Sequence, residues 1–267
     1  MVEELRLWRL LVAARVRSQW QYRASFLLYA TASFLASLVD FAALAAIFAK
    51  VPQLGGWTIA EVAFLYGLTG LAFTLAQFAV GGVDELSRRV KDGTFDSLLL
   101  RPVGTITQLS AEGFALRRIG RVAQAGCVLA LSLALLDVGW TAGRIAVTAA
   151  AVAFGTLIYA AVFIATASIA FWVVEGRDLG NAFTYGGNFL SNQPFDIYAH
   201  WLRRFATFVV PLAFTAYLPA AWVLGKTTAP DVPGELVWMT PLVAVVALLV
   251  AQGIWRMGLR TYRSTGT

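Results

Sequence analysis

The chain has 267 residues, 59% hydrophobic and 13% charged, with a mean hydropathy of +0.70 and a net charge of +6. Soluble domains carry about 25% charged residues, so half that content set among long apolar runs points to lipid as the solvent, and a large water-soluble domain fits less well. The positive balance is the arginine excess expected of cytoplasmic loops rather than a nucleic-acid surface, and the single cysteine, Cys127, excludes an internal disulfide or a thiol metal cluster.

Residues 1–24 are expected to form a basic amphipathic helix in the headgroup layer. Leu5, Trp8, Val12, Val16 and Trp20 recur at helical spacing, while Arg6, Arg9 and Arg17 take another face. A signal peptide fits less well, because the apolar run that follows exceeds the usual span of about 7–15 residues. A membrane span needs about 20 apolar residues. The first is expected over 25–47, ending near Lys50, Pro52 and Gly55-Gly56, and the second over 58–80, stopping at Gly81-Gly82. The longest polar stretch follows, from about 84 to 121. A third span is expected over 122–136 and a fourth over 145–174, closed by the polar turn Glu175-Gly176-Arg177-Asp178.

The next part reads two ways. Residues 179–198 are half polar, and 205–224 are apolar but interrupted by Pro211 and Pro219. Hydropathy with the positive-inside rule makes 205–224 the span and puts Arg203-Arg204 inside. A final span is expected over 238–255, ending in Arg256, Arg260 and Arg263. With the amino terminus inside, most of the 21 lysines and arginines fall in cytoplasmic segments and both termini are cytoplasmic. No internal repeat is visible, so 1–267 reads as a single domain.

The segment after the second span carries the most information. It runs Asp84-Glu85-Leu86-Ser87-Arg88-Arg89-Val90-Lys91-Asp92-Gly93-Thr94-Phe95-Asp96-Ser97-Leu98-Leu99-Leu100-Arg101-Pro102. Physically it is a charged helical extension, a glycine turn with Thr94 able to cap the next turn, a short amphipathic helix, and a proline stop. Such a helix at the membrane surface can dock on a cytoplasmic partner; an ordinary solvated loop is the alternative.

This charged run with Gly-Thr-Phe-Asp, three leucines and Arg-Pro resembles the signature of type-2 ABC exporter permeases. Further echoes are Gly-Arg-Asp after the fourth span, the stretch from Pro211-Leu212-Ala213-Phe214 to Tyr217-Leu218-Pro219-Ala220, and the close from Trp255 to Gly258-Leu259-Arg260-Thr261-Tyr262. The resemblance implies an all-α polytopic membrane protein of the cell's inner membrane, with six spans. Residues 84–105 would contain a coupling helix, with Arg88, Arg89, Lys91, Asp92, Gly93, Thr94, Phe95, Asp96, Leu99 and Arg101 facing or serving a separate ATP-binding subunit. It also implies that 179–198 is the fifth span and that 205–224 is an outer re-entrant helical pair. The two prolines favour this assignment, since broken backbone at membrane depth is tolerated where protein or a cavity covers it.

If 179–198 crosses, Asn181, Tyr185, Asn188 and Asn192 share one helix face and face either a substrate path or a partner helix. Phe183 and Phe189, on neighbouring faces, could contact an amphiphilic substrate. Asp40, inside the first span, is a functional candidate by virtue of its burial in lipid, with pairing or an interfacial position as the alternative. Glu61 and Asp137 read as interfacial and His200 as a surface residue. Gly225-Lys226-Thr227 lacks the earlier glycine and the strand of a phosphate-binding loop, and no protease or hydrolase motif is present. No catalytic residue, metal site or bound cofactor is therefore expected. ATP and magnesium would belong to two copies of the partner ATPase, and a second permease, related or identical, would complete the transporter. An importer permease, a secondary carrier or a non-transporting scaffold are the rivals; a carrier would ordinarily show an inverted repeat.

Overall fold

The computed structural model describes residues 2–21, 23–173 and 176–263; within these, the side chains of Asp40, Arg117 and a few others in the first two helices lie outside the description. Regular structure among the described residues is helical, apart from an isolated bridge between Leu54 and Trp57. The order is α1 (Val2–Trp20), α2 (Arg23–Phe48), α3 (Ile59–Val80), α4 (Leu86–Lys91), α5 (Asp96–Leu99), α6 (Thr105–Glu112), α7 (Ile119–Leu135), α8 (Ala142–Ala167), α9 (Arg177–Ser191), α10 (His200–Arg204), α11 (Tyr217–Leu224) and α12 (Thr240–Thr261).

Among the described residues, four stretches are long and apolar enough to cross a membrane: Leu27–Phe48, Ile59–Lys91, Ala142–Phe171 and Gly234–Thr261. The other two expected spans form shorter helices, α7 and α9. α9 stops at Ser191 because Pro194 follows, and the chain continues through the short turn Phe195–Ile197. The fourth span is also shorter than expected as regular α-helix: α8 ends at Ala167 and tightens into the turn Ser168–Phe171.

α3 is the hub. It packs along α7, α8 and α9, and both of its ends are fixed by named contacts. It opens on Thr58 and Glu61, whose carboxylate accepts the Thr58 backbone N–H at 2.7 Å in a capping box. Before it, Trp57 is 2% exposed and donates its indole N–H to Asp196 at 2.9 Å. Tyr217 donates to the other oxygen of Asp196 at 3.0 Å, stacks on Phe195 at 5.1 Å, and receives the Ala229 N–H at 2.9 Å. Lys226 closes this knot: it lies 5.3 Å over the Trp57 ring, bonds to the Gly56 carbonyl at 2.8 Å and pairs with Glu61 at 3.1 Å.

α9 runs antiparallel to α3. Tyr185 meets Gln77 and Asp84 at one end, the Ser191 carbonyl accepts from Thr69 midway, and Asp196 reaches Trp57 at the other. The run 205–224 is not a continuous helix. It comprises a wide turn at Phe205–Val209, a tight turn at Leu212–Phe214 and α11. Arg203 before it pairs with Asp231 at 2.7 Å, Thr215 in its middle lies against Gly155 of α8, and Lys226 after it joins the Trp57 knot. Both ends of the run thus meet residues at the Trp57 end of the bundle.

α1 packs on α6, held by Gln19, whose side chain donates to the Phe114 carbonyl and accepts the Leu116 N–H, both at 2.8 Å. Its predicted two faces separate only in part. Trp8, Val12 and Val16 are half-buried, while Leu10, Leu11 and Trp20 are exposed alongside the arginines. Trp8 is turned in by an edge contact with Phe114 at 6.5 Å.

Candidate functional site

The polar segment after α3 folds as the sequence suggests in outline and differs in detail. The chain tightens over Gly81–Glu85, forms α4, and reverses at Gly93, whose φ of +65° lies in the left-handed region that a Cβ penalises. Thr94 does not cap α5. Its hydroxyl instead donates back to the Arg89 carbonyl at 3.4 Å, and the same carbonyl receives the Thr94 and Phe95 N–H groups at 3.0 and 3.2 Å. A single oxygen gathers the turn, and α5 begins after Phe95 without a side-chain cap.

Phe95 roots the turn in the bundle. It is fully buried, with ring centroids 5.6 Å from Phe171 at the end of α8 and 5.1 Å from Tyr262 just past α12. Phe171 in turn sits 5.2 Å from Trp255 and fills the space a side chain at Gly258 would need. Beside it the Tyr262 hydroxyl donates to Asp96 at 2.9 Å. Burial, with the Asp96 carboxylate next to it, pushes the Tyr262 phenol up to about 12, so it stays a donor at all physiological pH.

The far side of the segment is tied to α6. Glu112 binds both Arg89 and Arg101, the latter at 3.1 Å, so one carboxylate clasps the chain before and after the glycine turn. Buried Gln108 donates to the Leu98 and Val103 carbonyls at 3.0 and 2.6 Å, and Trp255 donates to Thr105 at 3.1 Å. The ten residues expected to couple thus divide. Arg89, Phe95 and Asp96 face the bundle, whereas Arg88, Lys91, Asp92, Thr94, Leu99 and Arg101 are exposed around the Gly93 turn. Leu100 stands 88% exposed beside Leu99 at 46%. The sequence reading missed Leu100, Gln108, Glu112 and the aromatic seat formed by Phe171, Trp255 and Tyr262. Of these, the sequence shows the three-leucine run and the Trp255-to-Tyr262 close as motifs without a location.

The polar residues expected along one face of α9 fall in two places. Tyr185, Asn188 and Asn192 line a groove of about 480 Å³ between α2, α3, α7 and α9, with Phe73, Tyr66 and Gln124. Gln124 is 3% exposed and its amide nitrogen has no partner; the side-chain oxygens of Asn188, Asn192 and Gln193 are likewise unpaired. Buried amides without partners are costly, so this groove is suited to a ligand or neighbour that supplies hydrogen bonds. Asn181 is not part of it and instead lines a narrow crevice of about 20 Å³ with Asp84 and Arg177. Phe189 faces the groove, while Phe183 packs on Phe205, away from it. Asp40 belongs to α2, but its side chain lies outside the described residues. His200 is half-exposed with its Nδ1 3.7 Å from Asp231, and no group of three or more metal-ligating side chains occurs among the described residues.

Against known proteins, residues 34–266 match the family described as ABC-2 family transporter protein. Neither the curated proteins nor the solved structures gave a match.

Proposed function

The chain belongs to the ABC-2 transporter family, and from that premise we propose that it is the permease of an ATP-driven exporter, gripped by its ATPase at the Gly93 turn. Family membership makes it a multi-pass membrane component of an ABC transporter, associated with an ABC ATP-binding subunit that supplies the hydrolysis. The finer reading concerns how the two engage, and one observation carries it. The Gly93 turn presents Leu99 and Leu100 to solvent while Phe95, four residues away, is sunk between the ends of α8 and α12.

In this reading the partner receives Leu99, Leu100 and the charges of Arg88, Lys91, Asp92 and Arg101 in a groove. Closure of the nucleotide-loaded ATPase displaces the turn as a unit, because Glu112 binds its two limbs together and Gln108 holds the limb after it to α6. Phe95 passes that displacement to Phe171 and Tyr262, hence to two long helices at once. The ATPase supplies the energy through its preference for one state, and the permease supplies the two-state element.

The same reading puts the Gly93 end in the cytoplasm with both termini, makes α7 and α9 the third and fifth of six spans, and makes 205–224 an outer re-entrant pair. The antiparallel course of α9 along α3 supports it, as does the return of 205–224 to the Trp57 end. Substrate, expected to be amphiphilic, would move past Tyr185, Asn188 and Asn192 at the interface with a second permease.

A cysteine at Leu100 tests the docking directly. On co-expression with the cognate ATP-binding subunit, Leu100→Cys is expected to cross-link to that subunit, with a yield that changes when a non-hydrolysable nucleotide is added. Efficient cross-linking to a reagent confined to the outer face of the membrane, or transport by the purified chain alone, would overturn the proposal.

A further inference from the structure

Another cavity, of about 290 Å³, lies at the junction of α1, α4 and α6, beside the coupling turn, with which it shares Arg88, and apart from the amide-lined groove. Its charges are Arg15 of α1, Arg88 and Arg89 of α4, and Arg118 before α7, against Glu85 and Glu112. Four guanidinium groups meet two carboxylates, and both carboxylates are already engaged. Glu85 pairs with Arg88 at 2.7 Å, and Glu112 holds Arg89 together with Arg101. Arg15 makes no ion pair among the described residues, and the Nε of Arg89 is buried without a hydrogen-bond partner. The cavity is preformed, because Gln19 pins α1 to the Phe114–Leu116 loop on one side and Arg118 donates to the Gln77 carbonyl at 2.7 Å on the other.

We propose that this cavity binds the phosphate of an anionic ligand, with a phospholipid headgroup as the occupant. Guanidinium groups from different elements lining one half-open cavity can pair with a phosphodiester through bidentate hydrogen bonds. Basic pockets at the cytoplasmic face of membrane proteins take anionic headgroups for this reason. The site rests on reading α1 as a helix of the membrane surface, which would let the acyl chains of a bound lipid stay in the bilayer. Its consequence is mechanical: a bound headgroup bridges α1 to α4, the helix that leads into the Gly93 turn, so lipid composition sets how firmly the turn is held.

The test uses the full chain in nanodiscs, and it needs no ATPase, so its outcome is separate from that of the docking experiment. Phosphatidylglycerol retained after extraction is counted by native mass spectrometry in the wild type, in Arg15→Gln and in Arg9→Gln. Arg9 is an exposed arginine of the same helix that does not line the cavity. The expected result is one tightly retained phosphatidylglycerol, its affinity lowered roughly fivefold by Arg15→Gln and unchanged by Arg9→Gln. Millimolar inorganic phosphate identifies the source of the anion. Failure to displace the lipid supports a headgroup site, whereas binding of phosphate alone with the same Arg15 dependence supports a phosphate site filled from solution. Equal loss in both variants, or equal retention in all three chains, would overturn the proposal, since the charge of α1 rather than the cavity would then govern binding.

Discussion

Trp57 and Phe95 are both buried aromatic residues that knit together distant parts of the chain, but the structures around them serve opposite ends. Around Trp57, every polar group the ring system touches is answered within the protein: indole to Asp196, Asp196 to Tyr217, Tyr217 to Ala229, Lys226 to Glu61 and Gly56. Around Phe95 only the inner side is closed. Two residues before it Gly93 reverses the chain at φ +65°, and four and five residues after it Leu99 and Leu100 stand out to water. A cluster that satisfies itself is an anchor, whereas one that is rooted on one side and bare on the other is a lever awaiting a load.

The comparison predicts that damage at the anchor unfolds and damage at the lever uncouples. The largest effect is expected from Trp57→Ala, which removes a buried indole and strands one oxygen of Asp196. A loss of about 3–5 kcal/mol should appear as a collapse in melting temperature and yield of the purified chain. If Trp57→Ala melts like the wild type, the anchor is no anchor. Gly93→Ala comes next, at about 1–2 kcal/mol for a Cβ in the left-handed region. Here the loss of ATPase association should outrun the loss of stability, because the turn itself relaxes; parallel co-purification and melting measurements separate the two.

Smaller still is the pH response of Asp231. Burial works to raise its carboxyl, but the hydrogen bond and charge of Arg203, with its own backbone N–H and nearby His200, hold it below the usual carboxylate value. A depressed value means the pair stabilises the fold at neutral pH and that this contribution fades as pH falls through the folded-state value. The melting difference between wild type and Asp231→Asn should therefore narrow in acid, and a gap that stays constant would remove the ion pair from the account. The least effect on stability, within about 0.5 kcal/mol, is expected from Leu100→Asp, although it should weaken ATPase association at least tenfold if that leucine is buried there. Stability and association falling together would erase the distinction between the two ends.

Much of this fold can be read from the chain because apolar length is a local property. α2, α3, α8 and α12 are long runs, and Gly93 announces its own turn. The shorter helices are harder. α9 ends where Pro194 and the Asp196 bond to Trp57 demand it, and that partner lies 139 positions away. The spacing of Asn181, Tyr185, Asn188 and Asn192 suggests one face, but it says nothing about which neighbour each residue meets, so a groove and a separate crevice look like one stripe. Glu112 had no visible role because its two arginines are separated from it by 23 and 11 residues in the chain. Thr94 is able to cap by residue type, but the tight gathering of backbone N–H groups on the Arg89 carbonyl leaves its hydroxyl a different task.

The enclosure of Lys226 has a practical corollary. The chain holds three lysines, Lys50, Lys91 and Lys226. With its ammonium spoken for by a ring, a carboxylate and a carbonyl, the third should acylate slowly. Lys50 and Lys91, both exposed, lie beyond opposite termini of the Ile59–Val80 helix. An amine-reactive ester that does not permeate cells would then mark one and spare the other, and peptide mapping of two modified amines would report the sidedness of the whole polypeptide.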